Sequence, residues 1–271
     1  IWGSWLISLG AYHGGGLDFT GLQIGSFFAT MGVASLFMPA VMGIIADRWI
    51  PAQKLLGICH LVSGGFLIAA ASQTAYGPLY SCMLLSVMFY MPTIALSNSV
   101  AYNALDLARL DTVKHFPPIR VWGTVGFIAA MWFVDLTHIG GVQIKLTEWQ
   151  LYVSAVLSFL LAVYSFSLPG CPVDRTVKAR SWVDTLGLRA FTLFKEKRMA
   201  IFFVFSMLLG AALQITNAFG DSYIQSFGSM PQYADSAIVK HSVILLSLSQ
   251  MSETFCILLI PFFLRRFGIK K

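Results

Sequence analysis

Seven side chains able to bind a solute or to titrate interrupt three apolar segments at spacings typical of a helix face. They are Arg120, Thr124 and Phe127 in the first segment, Gln214 and Asn217 in the second, and Gln250 and Glu253 in the third. Within each segment, successive members are three or four positions apart, which places them on one face of a helix. Because amides and charges are costly against lipid, we expect the three stripes to face a shared cavity or one another. Isolated amides would also serve as hydrogen bonds between helices.

The residue types in these stripes suit a neutral, flat, polar solute. Amides present paired donors and acceptors that match the edges of a nucleobase, and a carboxylate accepts hydrogen bonds from sugar hydroxyls. The ring of Phe127 offers a face on which a base could stack. A sugar would also fit this chemistry, so residue types alone leave a nucleoside and a sugar open.

Motifs for catalysis or cofactor binding are absent from the sequence. There is no nucleophile triad, P-loop or dinucleotide loop, and the five histidines and four cysteines have no metal-ligand spacing. We therefore predict no catalytic residue, no metal and no cofactor, and we do not expect an enzyme.

The depth of the two charged members can be estimated from neighbouring charges. Arg120 follows Lys114 by six residues, or about 9 Å of helix, so it could still snorkel back to the membrane surface. Glu253 lies thirteen residues after Lys240 and twelve before Arg265, which is about 18–20 Å from each. A charge at that depth costs at least about 2.5 kcal/mol on insertion scales. Glu253 is therefore predicted to bind solute and to be the proton-coupling candidate, unless it is a protonated or ion-paired glutamate that holds helices together.

The elements that must position these residues are membrane-spanning helices. The chain has 271 residues, of which 57% are hydrophobic and only 11% are charged, against about a quarter charged in soluble domains. Apolar blocks near twenty residues long recur throughout, which predicts an all-α membrane protein embedded in a lipid bilayer. The predicted spans are residues 1–12, 22–46, 55–73, 79–104, 112–136, 150–168, 199–220 and 241–264.

The basic residues lie mostly on one side of these spans. Of 18 lysines and arginines, 15 fall in loops on one side, Lys145 and Lys240 fall on the other, and Arg120 lies within a span. The excess of positive charge predicts that the basic side is cytoplasmic. The net charge of +6 does not indicate nucleic-acid binding, because the basic residues form no stripe with interleaved aromatics.

The order of spans predicts two halves joined by a linker. Residues 169–198 begin with Pro-Gly and are rich in charge, so we interpret them as a cytoplasmic linker between an N-terminal six-helix half (1–168) and the first two helices of a second half (199–271). The first helix is expected to be truncated, because twelve residues span only about 18 Å. The loop G-I-I-A-D-R-W, with Gly43, Asp47 and Arg48, resembles the conformational loop signature of the major facilitator superfamily. That resemblance implies a fragment with about eight of twelve helices, which is not expected to transport by itself.

Longer motifs resemble one family within that superfamily. The segments F-P-P-I-R-V-W-G-T-V-G-F-I-A-A-M-W, K-R-M-A-I-F-F-V-F-S-M-L-L-G-A-A-L-Q-I-T-N and S-Q-M-S-E closely resemble the bacterial nucleoside–proton symporters, the nucleoside and xanthosine permeases. W-G-S-W-L and M-P-T-I-A-L-S-N-S match as well. The stretch His13-Gly14-Gly15-Gly16 departs from the resemblance, since relatives usually carry bulkier residues there.

The resemblance implies a function for the seven residues. They match positions that line the nucleoside site of the family: Phe127 stacks on the base, Gln214, Asn217 and Gln250 fix its polar edges, and Arg120 and Glu253 orient the ligand. The implied activity is proton-driven nucleoside uptake across the bacterial inner membrane by a monomer. A sugar–proton symporter of the same fold and a non-transporting membrane receptor or scaffold are the alternatives.

Overall fold

The computed structural model describes residues 1–173 and 193–268, except the side chains of residues 260, 261, 264, 265 and 267, and this part of the chain is almost wholly helical. Its elements in chain order are a 3-10 turn (Trp2–Ser4), α1 (Leu9–Ala11), a π turn (Tyr12–Gly16), α2 (Gly21–Arg48), α3 (Ala52–Ala71), α4 (Tyr76–Leu107), α5 (Thr112–Leu136), β1 (His138–Ile139), β2 (Val142–Gln143), a 3-10 turn (Ile144–Leu146), α6 (Trp149–Ser165), α7 (Lys197–Ser226), a 3-10 turn (Phe227–Ser229), α8 (Ala237–Lys240) and α9 (Ser242–Phe267). Residues 1–16 are called the first segment below.

Six helices in the described residues are long and apolar enough to cross a membrane, and α6 is a shorter apolar helix of 17 residues. This confirms the predicted all-α membrane protein. Seven of the eight predicted spans fall on helices, and α5 has the predicted bounds of 112–136, whereas the other six shift by a few residues. The first segment forms only short helical pieces. Much of the predicted linker, residues 174–192, lies outside the described part of the chain.

Local signals explain where two important helices begin. Thr20 and Gln23 form a reciprocal capping box at α2, in which the backbone N–H of Thr20 donates to Gln23 Oε1 at 2.9 Å. Asp111 caps α5 by accepting from the backbone N–H of Val113 at 2.9 Å. The pair Pro117-Pro118 therefore lies inside α5, not at its start.

The main core lies between α2, α3, α4 and α6. The hydroxyls of Ser63 on α3 and Ser86 on α4 are hydrogen-bonded at 2.9 Å, and both residues are buried. Against α6, a Cβ at Gly64 of α3 would lie 3.0 Å from the ring of Phe159. Small residues at such contacts let membrane helices approach closely, which is how they gain packing energy in lipid.

The remaining long helices, α5, α7 and α9, meet around the first segment. Ile7 of that segment is buried with Met131 of α5 and Val243 of α9. A Cβ at Gly10 would lie 2.9 Å from the carbonyl oxygen of Ala218 on α7. The short first segment, which contains Gly10, therefore packs against all three helices that carry the predicted site residues.

Candidate solute-binding site

Helices α5 and α9 run antiparallel, and their contacts fix which residues lie at the same level. Trp132 Nε1 donates to the hydroxyl of Ser247 at 2.9 Å, and one turn further along α5 Asp135 Oδ2 lies 2.6 Å from His241 Nδ1. The same pairing can be followed toward the start of α5 and the end of α9. It brings residues 124–127 of α5 to the level of residues 250–254 of α9.

Helices α7 and α9 are antiparallel as well. The hydroxyl of Ser242 donates to Asp221, and a Cβ at Gly220 would lie 3.1 Å from the side chain of Leu246. Continued at the helical rise, this pairing brings residues 214–217 of α7 to the level of residues 246–252 of α9. The two registers together place six of the seven predicted site residues at one level of the helix group, with Arg120 one turn beyond Thr124.

Burial differs among these residues. Thr124 is 4% exposed and Gln250 is 9% exposed, whereas Phe127, Gln214 and Asn217 are half-buried. Gln214 Nε2 is buried and has no hydrogen-bond partner among the described residues. Burying an amide N–H without a partner costs about 1–3 kcal/mol. The Gln214 amide is therefore suited to donate a hydrogen bond to a ligand.

Arg120 is exposed, and its side chain runs toward the middle of α5. A Cβ at Gly123, three residues deeper in the helix, would lie 3.0 Å from Arg120 Nη1. A snorkelling arginine would extend the other way, toward Lys114. The guanidinium therefore lies over the bare backbone of Gly123, next to the level of Thr124.

Glu253 is exposed on α9 and forms no ion pair or side-chain hydrogen bond with another described residue. The alternative of a glutamate that holds helices together by an ion pair therefore has no partner in the described part of the chain. A free carboxylate at this level is available to a ligand or to a proton.

Two aromatic residues that the sequence analysis did not select stack on each other. The ring of Trp2 lies on the ring of Tyr90 of α4 at 4.8 Å between centroids. Trp2 Nε1 is buried without a hydrogen-bond partner in the described structure. Single aromatic residues in apolar segments are ordinary, so only the W-G-S-W-L motif could have drawn attention to Trp2.

The loop signature lies at the end of α2. Asp47 is exposed and Arg48 is half-buried, and no described atom comes within 4 Å of a Cβ built at Gly43. The described residues thus give this glycine no steric requirement, and the conformational role of the loop stays a prediction.

The first segment ends in a π turn that contains His13-Gly14-Gly15-Gly16, the stretch that departs from the family resemblance. His13 is fully buried between aromatic rings, 4.3 Å from the ring of Phe27 by centroid distance, and neither ring nitrogen has a hydrogen-bond partner among the described residues. No group of three histidine, cysteine, aspartate or glutamate residues in the described structure could hold a metal ion.

Comparisons with known proteins give one consistent result. The sequence profile of the family described as Nucleoside H+ symporter matches residues 1–271. The xanthosine permease of Escherichia coli (strain K12) is 52% identical over 270 residues, and the nucleoside permease NupG of the same organism is 48% identical over 270 residues. Each alignment covers 100% of this chain and 63% of the relative, so the chain spans about 63% of the length of these curated relatives.

Solved structures agree with the sequence comparison. Two crystal structures of the nucleoside transporter NupG superpose on the chain with TM-scores of 0.88 and 0.84 at 48% sequence identity. They cover 99% of this chain, which in turn covers 66% and 65% of the solved chains.

Proposed function

Since the chain belongs to the Nucleoside H+ symporter family, whose members are transporters and not enzymes, we propose that it takes part in proton-coupled nucleoside uptake. The observation that carries this proposal is the common level of the polar side chains on α5, α7 and α9. Unpaired amide and carboxylate groups inside a membrane are costly unless a wet cavity or a ligand satisfies them. Their common level on three helices therefore supports the proposal of a solute site.

We assign roles to the seven residues from their chemistry and position. Phe127 stacks on the base, and the amides of Gln214, Asn217 and Gln250 bond its polar edges. The buried Nε2 of Gln214, which has no partner among the described residues, is a donor for a carbonyl oxygen of the base. Thr124 lies beside the ligand on the same helix face as Phe127.

The two charged residues orient the ligand and couple it to protons. Arg120, lying over Gly123, donates to ligand oxygen atoms. The carboxylate of Glu253 accepts hydrogen bonds from sugar hydroxyls or binds a proton. Glu253 is the candidate for proton coupling because no described cation neutralises it.

The proposed cycle is alternating access in the bacterial inner membrane. Residues 1–168 act as one half and residues 199–271 as part of the second, joined by a linker at residues 169–198. The basic loops face the cytoplasm, because positive charge is retained on that side. A monomer is sufficient for this mechanism.

Uptake by the complete transporter in proteoliposomes tests the proposal. With an inward proton gradient, we expect labelled uridine to accumulate, and unlabelled nucleosides but not a disaccharide to compete. Competition by the disaccharide alone would identify a sugar–proton symporter. Nucleoside binding without accumulation would identify a receptor and refute transport.

A further inference from the structure

A second group of buried charged side chains lies away from the solute site, where the two parts of the chain meet. It is called the polar cluster below, and its members are Asp135 at the end of α5, Lys145 in the 3-10 turn after β2, Asp221 on α7, and His241 with Ser242 at the start of α9. Asp135 and Asp221 are 0% exposed and Lys145 is 1% exposed. The mechanism proposed above uses none of them.

Lys145 is the centre of the cluster. Its ammonium lies 2.6 Å from Asp135 Oδ1 and donates to the carbonyl oxygen of Lys240 at 2.9 Å and to the hydroxyl of Ser242 at 3.3 Å. Lys145 thus forms one ion pair and two hydrogen bonds among the described residues. The ammonium of Lys240 points away and pairs with the exposed Asp235, so Lys240 contributes only its carbonyl group.

The cluster joins residues from both sides of the linker. Asp135 and Lys145 precede residues 169–198, and Asp221, His241 and Ser242 follow them. Ser242 connects the two parts, since its hydroxyl accepts from Lys145 and donates to Asp221.

Among the described side chains, burial on α5 and α9 is concentrated toward one end of the helices. On α9, Ser242, Val243, Ser247 and Gln250 are buried, whereas no described side chain after Gln250 is. On α5 the buried residues run from Thr124 to Asp135, and the first half of the helix has none. The described parts of α5 and α9 are thus most buried toward the end that bears the polar cluster.

The charges of the cluster do not balance without an added proton. With both carboxylates ionised, Asp135 and Asp221 carry two negative charges against one positive charge on Lys145, so one negative charge stays buried unless His241 or Asp221 itself binds a proton. An uncompensated buried charge strongly disfavours the closed arrangement. A proton on His241 makes the total zero, and His241 Nδ1 is already placed 2.6 Å from Asp135 Oδ2.

His241 also has access to water, because 37% of its side chain is exposed whereas that of Asp135 is 0% exposed. We propose that the polar cluster is a proton-binding site that closes the transporter at this end, with the proton carried by His241. The proton comes from water on that side and returns to it when the cluster opens. This inference rests on the proposed function in one respect: it takes opening and closing at this end to be steps of a transport cycle.

Cysteine accessibility tests this site without requiring transport. Val243 is 1% exposed and is buried against Ile7 and Met131, so Val243→Cys in a complete transporter that lacks native cysteines reports opening between the two parts. An impermeant maleimide would be applied from the side of residues 138–147. Its rate would be normalised to an exposed cysteine at Ser229, because the thiolate fraction itself rises with pH.

In the parent we expect the normalised labelling rate to be slow at pH 6. It should rise by up to about tenfold per pH unit toward pH 8, because opening releases one proton. His241→Gln cannot carry the added charge, so labelling should be fast at both pH values. In Asp221→Asn the charges of Lys145 and Asp135 cancel without an added proton, so labelling should be slow at both pH values. His138→Gln, an exposed histidine outside the cluster, should behave as the parent.

Opposite effects of the two cluster variants are the result that general damage to packing would not give. The proposal is overturned if the parent shows no pH dependence, if His241→Gln keeps the pH dependence of the parent, or if both variants shift labelling in the same direction. If the labelling pattern holds but nucleosides are not accumulated, the proton site stands and the proposed transport function fails. If uptake is observed with labelling independent of pH, the transport function stands and this proton site fails.

Discussion

Gly123 is expected to be needed for solute affinity although it is not expected to touch the solute. An alanine Cβ at this position would lie 3.0 Å from Arg120 Nη1 and 4.0 Å from Cζ. The guanidinium, at the free end of a flexible side chain, would have to move by about half an ångström to restore ordinary van der Waals contact. The backbone of α5 would not have to move.

The magnitude follows from two opposing effects. Alanine in a helix interior is more stable than glycine by about 0.5–1 kcal/mol, so Gly123→Ala should not lower thermal stability. A hydrogen bond to a charged group contributes about 1.5–3 kcal/mol, and a displaced guanidinium should lose part of it. We expect a loss of about 1 kcal/mol, or roughly fivefold weaker nucleoside binding.

Gly126→Ala is the matched control, because the same helix gains an alanine and no described atom lies within 4 Å of the new Cβ. Binding calorimetry and thermal unfolding would be measured for both variants of the complete transporter. Adding Gly123→Ala to Arg120→Lys should have little further effect on affinity, since both changes act on one contact. Equal affinities for the Gly123→Ala and Gly126→Ala variants would refute the inference that the position of the guanidinium sets binding.

Three further outcomes are expected. Glu253→Gln should permit nucleoside equilibration but abolish accumulation against a gradient in proteoliposomes, and unchanged accumulation would remove Glu253 from proton coupling. Phe127→Leu keeps an apolar side chain but removes base stacking, so nucleoside affinity should fall by about 1–3 kcal/mol, as measured by calorimetry, unless the ring only fills space. Gly3→Ala should sharply reduce the yield of folded protein, because its Cβ would overlap the backbone carbonyl of Phe127, whereas Gly21→Ala, with open space around it, should fold normally.

The sequence was sufficient to predict the spans because each depends on a local property. About twenty consecutive apolar residues are needed to cross a bilayer, and that requirement can be read from neighbours in the chain. It predicted the bounds of α5 at 112–136 and the helical positions of six other spans. The depth of Glu253 followed from the same linear counting, because a helix rises by a constant distance per residue.

The resemblance and the helix-face spacing also selected a set of site residues. The antiparallel registers of α5, α7 and α9 place most of this set at one level, as the Trp132–Ser247 and Ser242–Asp221 hydrogen bonds indicate. The assignment of these residues to a nucleoside remains a prediction for the experiments above.

Tertiary structure alone decided which way Arg120 points and what surrounds Lys145. The direction of Arg120 depends on the space left by the missing side chain of Gly123, and the sequence does not show that the guanidinium lies there. Lys145 looks like an ordinary loop lysine in the sequence, yet it is buried against Asp135 and against Ser242, which lies 97 residues further along the chain. The free energy of transferring a helix into lipid is a sum over neighbouring residues, so it can be read from the sequence. The energy of an ion pair depends on the distance between two atoms that only folding brings together.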